Sequence, residues 1–304
     1  MRRMRHFRLF AAICLLVLAL PAPAGTLALV LSETGGVYGE FAAALDEGLA
    51  GSAWKVGSTT EAGALVTIDS QAELIVAVGS EALRQALARN DPLPIVATLL
   101  PRQNYEKILA EARRRSGRTT AIYLDQPPGR QAAFLRHLLP GQKRIGMLFS
   151  SETRQQAGPY RLALGAAGFS LHSEDSETDN TLLPALNNLF RRSDALLAIP
   201  DSTVYRRNNI RAVLITAFRH QRPVIGYSPA FVNAGALAAL HSTVSQIARQ
   251  TAEQIVERGT ALGPPANPSQ FAIAINHNVA HALGLSLPDE ATIRQAMLAD
   301  RDTR

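Results

Sequence analysis

A mixed α/β architecture of two doubly wound, Rossmann-like lobes is predicted by three observations. Short apolar runs alternate with amphipathic stretches of helical length, the pattern of parallel strands covered on both faces. The alternation runs from residue 26, pauses near Pro140 and begins again at Lys143. The roughly 280 residues after the first 24 exceed what one open sheet usually needs, and no long linker divides them. A (β/α)8 barrel is the alternative architecture.

In the first run, TLALVLS (26–32) reads as a strand buried on both faces, and GGVYGEFAAALDEGLAG (35–51) as a loop and an amphipathic helix. The next strand is AELIVAVGS (72–80), with a helix over EALRQALARN (81–90). LPIVATLL (93–100) is a strand and NYEKILAEARRR (104–115) a helix; RTTAIYLD (118–125) is a strand and RQAAFLRHLLP (130–140) a helix. The second run opens with the strand KRIGMLFSS (143–151) and the helix AGPYRLALGAAGF (157–169). FSLHSE (169–174) and SDALLAIPDS (193–202) are strands flanking the helix LLPALNNLFRR (182–192). A long helix, TVYRRNNIRAVLITAFRHQ (203–221), leads to the strand RPVIGYSP (222–229). Two further apolar segments, GALAALHS (235–242) and QFAIAIN (270–276), flank the helix VSQIARQTAEQIVERG (244–259).

Composition narrows the function classes. Hydrophobic residues are 47% and charged residues 18%, which is globular rather than disordered. The net charge of +6 suggests nucleic acid, but Arg2, Arg3, Arg5 and Arg8 sit in MRRMRHFR ahead of the apolar run LFAAICLLVLAL and the small-residue site Ala22-Pro23-Ala24. These are the three regions of a cleaved export signal, residues 1–24. Without it, 27 basic residues face 25 acidic ones, and no nucleic-acid partner is expected. The single cysteine, Cys14, lies in the apolar run without a lipobox, so a soluble periplasmic protein with neither disulfide nor cysteine metal site is expected.

Catalytic and cofactor patterns are incomplete. GGVYG (35–39) lacks the spacing of a dinucleotide loop, and VGSEA (78–82) has Ala82 where a nucleophile elbow needs glycine. HNVAH (277–281) places two histidines one turn apart, but Asn278 stands where a zinc protease needs glutamate. No catalytic residue, metal or cofactor is expected. In open parallel sheets, ligands bind at the carboxyl ends of strands. Those ends carry Ser32-Glu33, Gly79-Ser80-Glu81, Thr98, Asp125-Gln126, Ser150 to Thr153, Asp201-Ser202-Thr203 and Tyr227-Ser228. Each can equally cap the helix that follows it.

Residues 196–255 resemble the ABC transporter substrate-binding protein family, whose members include proteins of tryptophan or tyrosine uptake. The matching features are IPDS (199–202), PVIG (223–226), VNAGALAAL (232–240) and IARQTA (247–252), supported by LIVAVGSEAL (74–83), LPGQKRIGMLFS (139–150) and FAIAINHNVAHALGLSLPD (271–289). The resemblance implies a type I periplasmic-binding-protein fold, two lobes joined by three crossovers with ligand in the cleft between them. It implies an N-terminal lobe of 25–122 completed by about 242–266, and a C-terminal lobe of 123–241 completed by about 267–304. It also implies a monomer that binds a small amino-acid-like molecule and passes it to an ABC permease, with a membrane sensor (histidine kinase or cyclase) as the alternative partner. Carried onto this chain, the pocket loops fall on Gly79, Ser80, Thr98, Asp201, Ser202, Tyr227 and Ser228. Asp201 would meet a ligand cation, Ser80 and Thr98 a carboxylate or carbonyl, and Tyr38 or Tyr227 would stack on a side group. Asp201→Ala would then abolish binding and leave the fold intact. The chain departs from the family at Thr98-Leu99-Leu100-Pro101, where a T-D-P-like loop is usual, and in lacking the lipoprotein cysteine.

Overall fold

The computed structural model describes residues 25–63, 68, 70–89, 92–112 and 118–300. The export signal expected over 1–24 lies outside them. No helix among the described residues is long and apolar enough to cross a membrane.

Five strands build the first sheet: β1 (Gly25–Leu31), β2 (Trp54–Glu61), β3 (Leu74–Val78), β4 (Ile95–Leu100) and β5 (Thr119–Tyr123). They pair in parallel in the order β2-β1-β3-β4-β5. Every residue of β1 and β3 is buried because the sheet is covered on both faces. Leu27, Leu29 and Val76 point to the layer holding Phe41 and Leu45 of α1 (Gly36–Leu49). Their neighbours Val30, Ile75 and Ala77 point the other way, onto Leu83 of α2 (Ser80–Ala88) and Tyr105 of α3 (Arg102–Glu111).

The second sheet holds β6 (Arg144–Phe149), β7 (Ser170–Asp175), β8 (Ala195–Leu197), β9 (Val224–Gly226), β10 (Ala238–His241) and β11 (Ala272–Ile275), in the order β11-β10-β9-β8-β6-β7. One face is covered by α4 (Pro128–Leu138) and α5 (Ala157–Ala166), through Phe134, Leu135 and Leu164. The other is covered by α6 (Asp179–Arg192), α7 (Arg207–Arg219) and the short α8 (Pro229–Asn233), through Leu186, Phe190, Val213 and Phe231.

Helix α9 (Val244–Arg258) leaves the second sheet and packs with Ile247, Ala248 and Ala252 into the first core, against α1. A Cβ at Gly48 would stand 2.8 Å from the Ala252 Cβ, so glycine lets these helices approach. The chain therefore passes between the sheets at 124–127, at 242–243 and over 259–271. The third passage leans on the first lobe, where Tyr123 N–H donates to the Ala266 carbonyl and Ala266 N–H to that of Ala121, both at 2.9 Å. It then reaches β11, α10 (His277–Ala282) and α11 (Glu290–Ala299), whose Ala280, Ile293 and Met297 complete the second core.

The structure adds to the sequence reading at three places. Strand β2 was not evident because it lies at a sheet edge, and its exposed and partly buried residues mix Lys55, Ser58, Thr59 and Thr60 with apolar ones. Strand β11 runs antiparallel to β10. Helix α7 begins at Arg207 rather than at 203, since the preceding backbone turns about Asp201. The HNVAH segment forms α10, with His277 Nε2 3.6 Å from the Glu290 carboxylate.

Candidate ligand site

A cavity of about 200 Å³ opens between the lobes where the carboxyl ends of both sheets face each other. The first lobe contributes Pro101 after β4 and Asp125 after β5; the second contributes Gln131 of α4, Tyr160 of α5 and Tyr227 after β9. Two of the interlobe passages, at Gln126 and Ser242, form part of its wall.

Asp125 is the carboxylate that this cavity contains. Its Oδ2 accepts from the Arg102 N–H at 2.6 Å, the first amide of α3, which ties it to the first lobe. Burial pushes its carboxyl up to about 6, against the opposing pull of the Arg102 amide. Gln131 is 3% exposed, and its Oε1 has no hydrogen-bond partner within the protein. His241 Nδ1 is likewise buried without one, and desolvation lowers the ring's pKa, which keeps it neutral. Other polar groups of the wall are engaged. Gln126 Nε2 donates to Ser242 Oγ at 2.7 Å, Ser242 Oγ donates to the Gln270 carbonyl at 2.6 Å, and Gln126 Oε1 accepts from Arg130 at 2.8 Å. The Tyr227 ring is fixed edge-on by Phe231, 5.4 Å between centroids.

A second space of about 250 Å³ lies beside it, between Asn104 and Lys107 of α3 and Ser151 and Glu152 of the other lobe. The two are separated by Gln103, whose side-chain amide donates to the Pro200 carbonyl across the cleft. Lys107 Nζ and Glu152 face each other across the same gap at 4.0 Å.

The residues singled out from the sequence divide into three groups. Tyr227 and Ser228 line the first cavity, where Ser228 Oγ also accepts from Phe231 N–H at 3.3 Å as the cap of α8. Ser80 and Ser202 flank the second: Ser80 Oγ accepts from Asn104, and Ser202 Oγ donates to Glu152. Gly79 and Tyr38 pack around Ser32 behind them, and Thr98 is fully buried in β4 with its hydroxyl unpartnered. Asp201 is 3% exposed, and its carboxylate is already filled. Oδ2 accepts from Ser150 N–H, Ser150 Oγ and Thr153 Oγ1 at 3.1, 2.8 and 2.6 Å, and Oδ1 accepts from the amides of Thr203 and Val204 at 2.9 and 2.8 Å. That network, rather than a ligand cation, occupies it. Gln131, Tyr160 and His241 were not selected from the sequence; Asp125 was visible only as one polar strand end among seven.

Gly79 has φ of +92°, and a Cβ there would lie 2.4 Å from Ser32 Oγ and 2.9 Å from the Tyr38 ring. Gly79→Ala is expected to cost about 2–4 kcal/mol, through a disfavoured backbone and displacement of Ser32. A urea midpoint equal to the parent's would refute that reading of the turn.

A family model for ABC transporter substrate binding protein matches residues 56–297. The chain belongs to this family. A search of curated sequences returns no match for the substrate-binding protein. It is similar in fold to an ABC domain from Streptococcus pneumonia in complex with L-Trp, at 18% identity over 89% of this chain and 98% of that one, TM-score 0.60. A ligand-free, open substrate-binding protein with adhesive properties from Clostridium difficile gives 16% identity, coverage of 87% and 96%, and a TM-score of 0.66. A periplasmic ribose ABC transporter structure from Conexibacter woesei gives 14%, 87% and 97%, and 0.52. The mixed α/β build of two sheets joined in this way is the type I periplasmic-binding fold.

Proposed function

We propose that this protein is a periplasmic receptor that captures a small, amine-bearing molecule of amino-acid-like size and delivers it to an ABC permease, without catalysis. The observation that carries the reading is the cavity in which Asp125, tied to the first lobe, and the buried, unpartnered Gln131 Oε1 of the second lobe meet. A carboxylate partly desolvated to a pKa of about 6 is an unfavourable feature that a bound cation would relieve. Membership of a substrate-binding family supports both the small ligand and the permease as partner.

Capture follows from the topology. The lobes share three chain passages and meet across the cleft through Gln103–Pro200 and Lys107–Glu152. Hinge motion makes and breaks those contacts, and a ligand shifts the balance toward closure only by binding the closed form better than the open one. The test is a thermal-shift screen of purified protein, unfolded and refolded to strip carried-over ligand, against amines, amino acids, nucleosides, sugars and carboxylates. A true ligand at about 100 times its Kd adds about 2.7 kcal/mol of stability, or roughly 5–10 °C. A flat result across every class would reject the receptor reading.

A further inference from the structure

We infer that the ligand is a small organic amine without a carboxylate, held by Asp125 at its ammonium end and by the Tyr160 and Tyr227 rings along its body. The inference rests on the receptor reading above and names the class of molecule that the first cavity takes.

Charge is the first ground. Among the described residues lining the cavity there is no lysine or arginine, while Asp125 supplies a negative charge at neutral pH. An ammonium finds its counter-ion there. A carboxylate finds none, and in a space this small it would stand close to Asp125 itself. Nearby cations are directed elsewhere. Arg130 Nη1 donates to Gln126 Oε1 and the Pro268 carbonyl at 2.8 and 2.7 Å. The Arg102 guanidinium lies over the Tyr123 ring, 5.1 Å from its centroid, and pairs with Glu106 at 3.6 Å; it acts on Asp125 through space and does not line the cavity. Lys107 lines the neighbouring space opposite Glu152, beyond the Gln103–Pro200 bridge.

Backbone donors are the second ground. A carboxylate without a cationic partner is usually held by amides at helix starts. Here the Arg102 amide at the start of α3 donates to Asp125, and the Phe231 amide of α8 donates to Ser228. Those two amides are satisfied within the protein.

Size and lining are the third. The cavity, at about 200 Å³, lies below the usual range of drug-sized pockets. Leu124, Leu240 and Pro101 join the two tyrosine rings in an apolar lining that suits a hydrocarbon or aromatic body. Gln131 and His241 add hydrogen-bonding capacity without net charge.

The deciding experiment is calorimetry on the purified, ligand-stripped protein at pH 8, with tyramine against L-tyrosine and phenethylamine against L-phenylalanine. Each pair differs only by the carboxylate. The amines are expected to bind at least tenfold more tightly, and Asp125→Asn to lose at least tenfold in amine affinity while circular dichroism shows the parent fold. The wild-type comparison stands even if that variant misfolds. Amino acids binding as tightly as their amines would overturn the inference and leave the receptor reading intact; a response confined to sugars or carboxylates in the wider screen would overturn it together with the amine-bearing ligand of that reading. Silence in every class would remove both.

Discussion

Asp201→Ala is expected to destabilise the protein by about 3–5 kcal/mol, a large share of the stability of an ordinary domain. The carboxylate gathers five donors from two stretches of chain: Ser150 and Thr153 of one turn, and the turn at Thr203 and Val204. Its removal leaves the Ser150 and Thr153 hydroxyls and the Thr203 and Val204 amides without their acceptor in a site that water reaches poorly, and it frees the turn between β8 and α7. The sequence reading expects lost binding with an intact fold; the network adds a cost in stability to that expectation. Urea unfolding measures the loss directly. A midpoint within about 1 kcal/mol of the parent's, together with loss of ligand binding, would return Asp201 to the site.

Asp125→Asn is expected to make the protein more stable, and only at neutral and alkaline pH. Burial raises this carboxyl from the ordinary 3.8 to about 6, so the folded state holds the proton more tightly than the unfolded chain does. The resulting penalty is absent below about pH 4, where both states are protonated. It grows between 4 and 6 and is complete above 6, where it amounts to about 2 kcal/mol. The groups acting on Asp125 are the Arg102 amide and guanidinium, which favour its charge, and Glu106, which opposes it; Tyr160 and the neutral His241 share its cavity. Asparagine keeps an acceptor for Arg102 N–H and removes the buried charge. Denaturation at pH 8 and pH 4 should therefore show a gain of about 2 kcal/mol at the first and none at the second. With Asp125 holding the ligand as proposed, the same proton would govern binding. An ammonium ligand selects the ionised form, so its affinity should fall below pH 6 by up to tenfold per unit and level off above 7. Equal stability of parent and variant at both pH values, or affinity independent of pH between 5 and 7, would show that Asp125 is not desolvated as the cavity requires.

Much of the fold was legible in the chain because of where its strands lie. β1, β3 and β4 are covered on both faces, so their sequences are almost uninterrupted Leu, Ile, Val and Ala. An edge strand has no such constraint. β2 is half solvated, carries polar residues throughout and looked like a connection. The direction of β11 was equally hidden, since an apolar tetrapeptide pairs in either sense and its orientation is set by the passage over 259–271 that precedes it. The family was legible as well, because its motifs are contiguous stretches that run along β8, β9, β10 and α9 and the turns between them.

The site was legible only as a set of positions. The alternation of strands and helices told which residues end a strand, and Tyr227, Ser228 and Asp125 do line the cleft. It did not tell which of two strand-end aspartates is enclosed by donors and which lines the cavity. That depends on donors within about 3 Å, and three of the five around Asp201 come from Ser150 and Thr153, some fifty positions earlier in the chain. Gln131, Tyr160 and His241 are ordinary helix and strand residues until packing turns them toward one cavity. The chain by itself thus determined the two-lobed α/β plan and the family, because hydrophobic periodicity and turn chemistry are local. Tertiary structure alone decided which carboxylate is enclosed in a hydrogen-bond network and which lines the interlobe cavity, because hydrogen-bond satisfaction is settled between segments far apart in sequence.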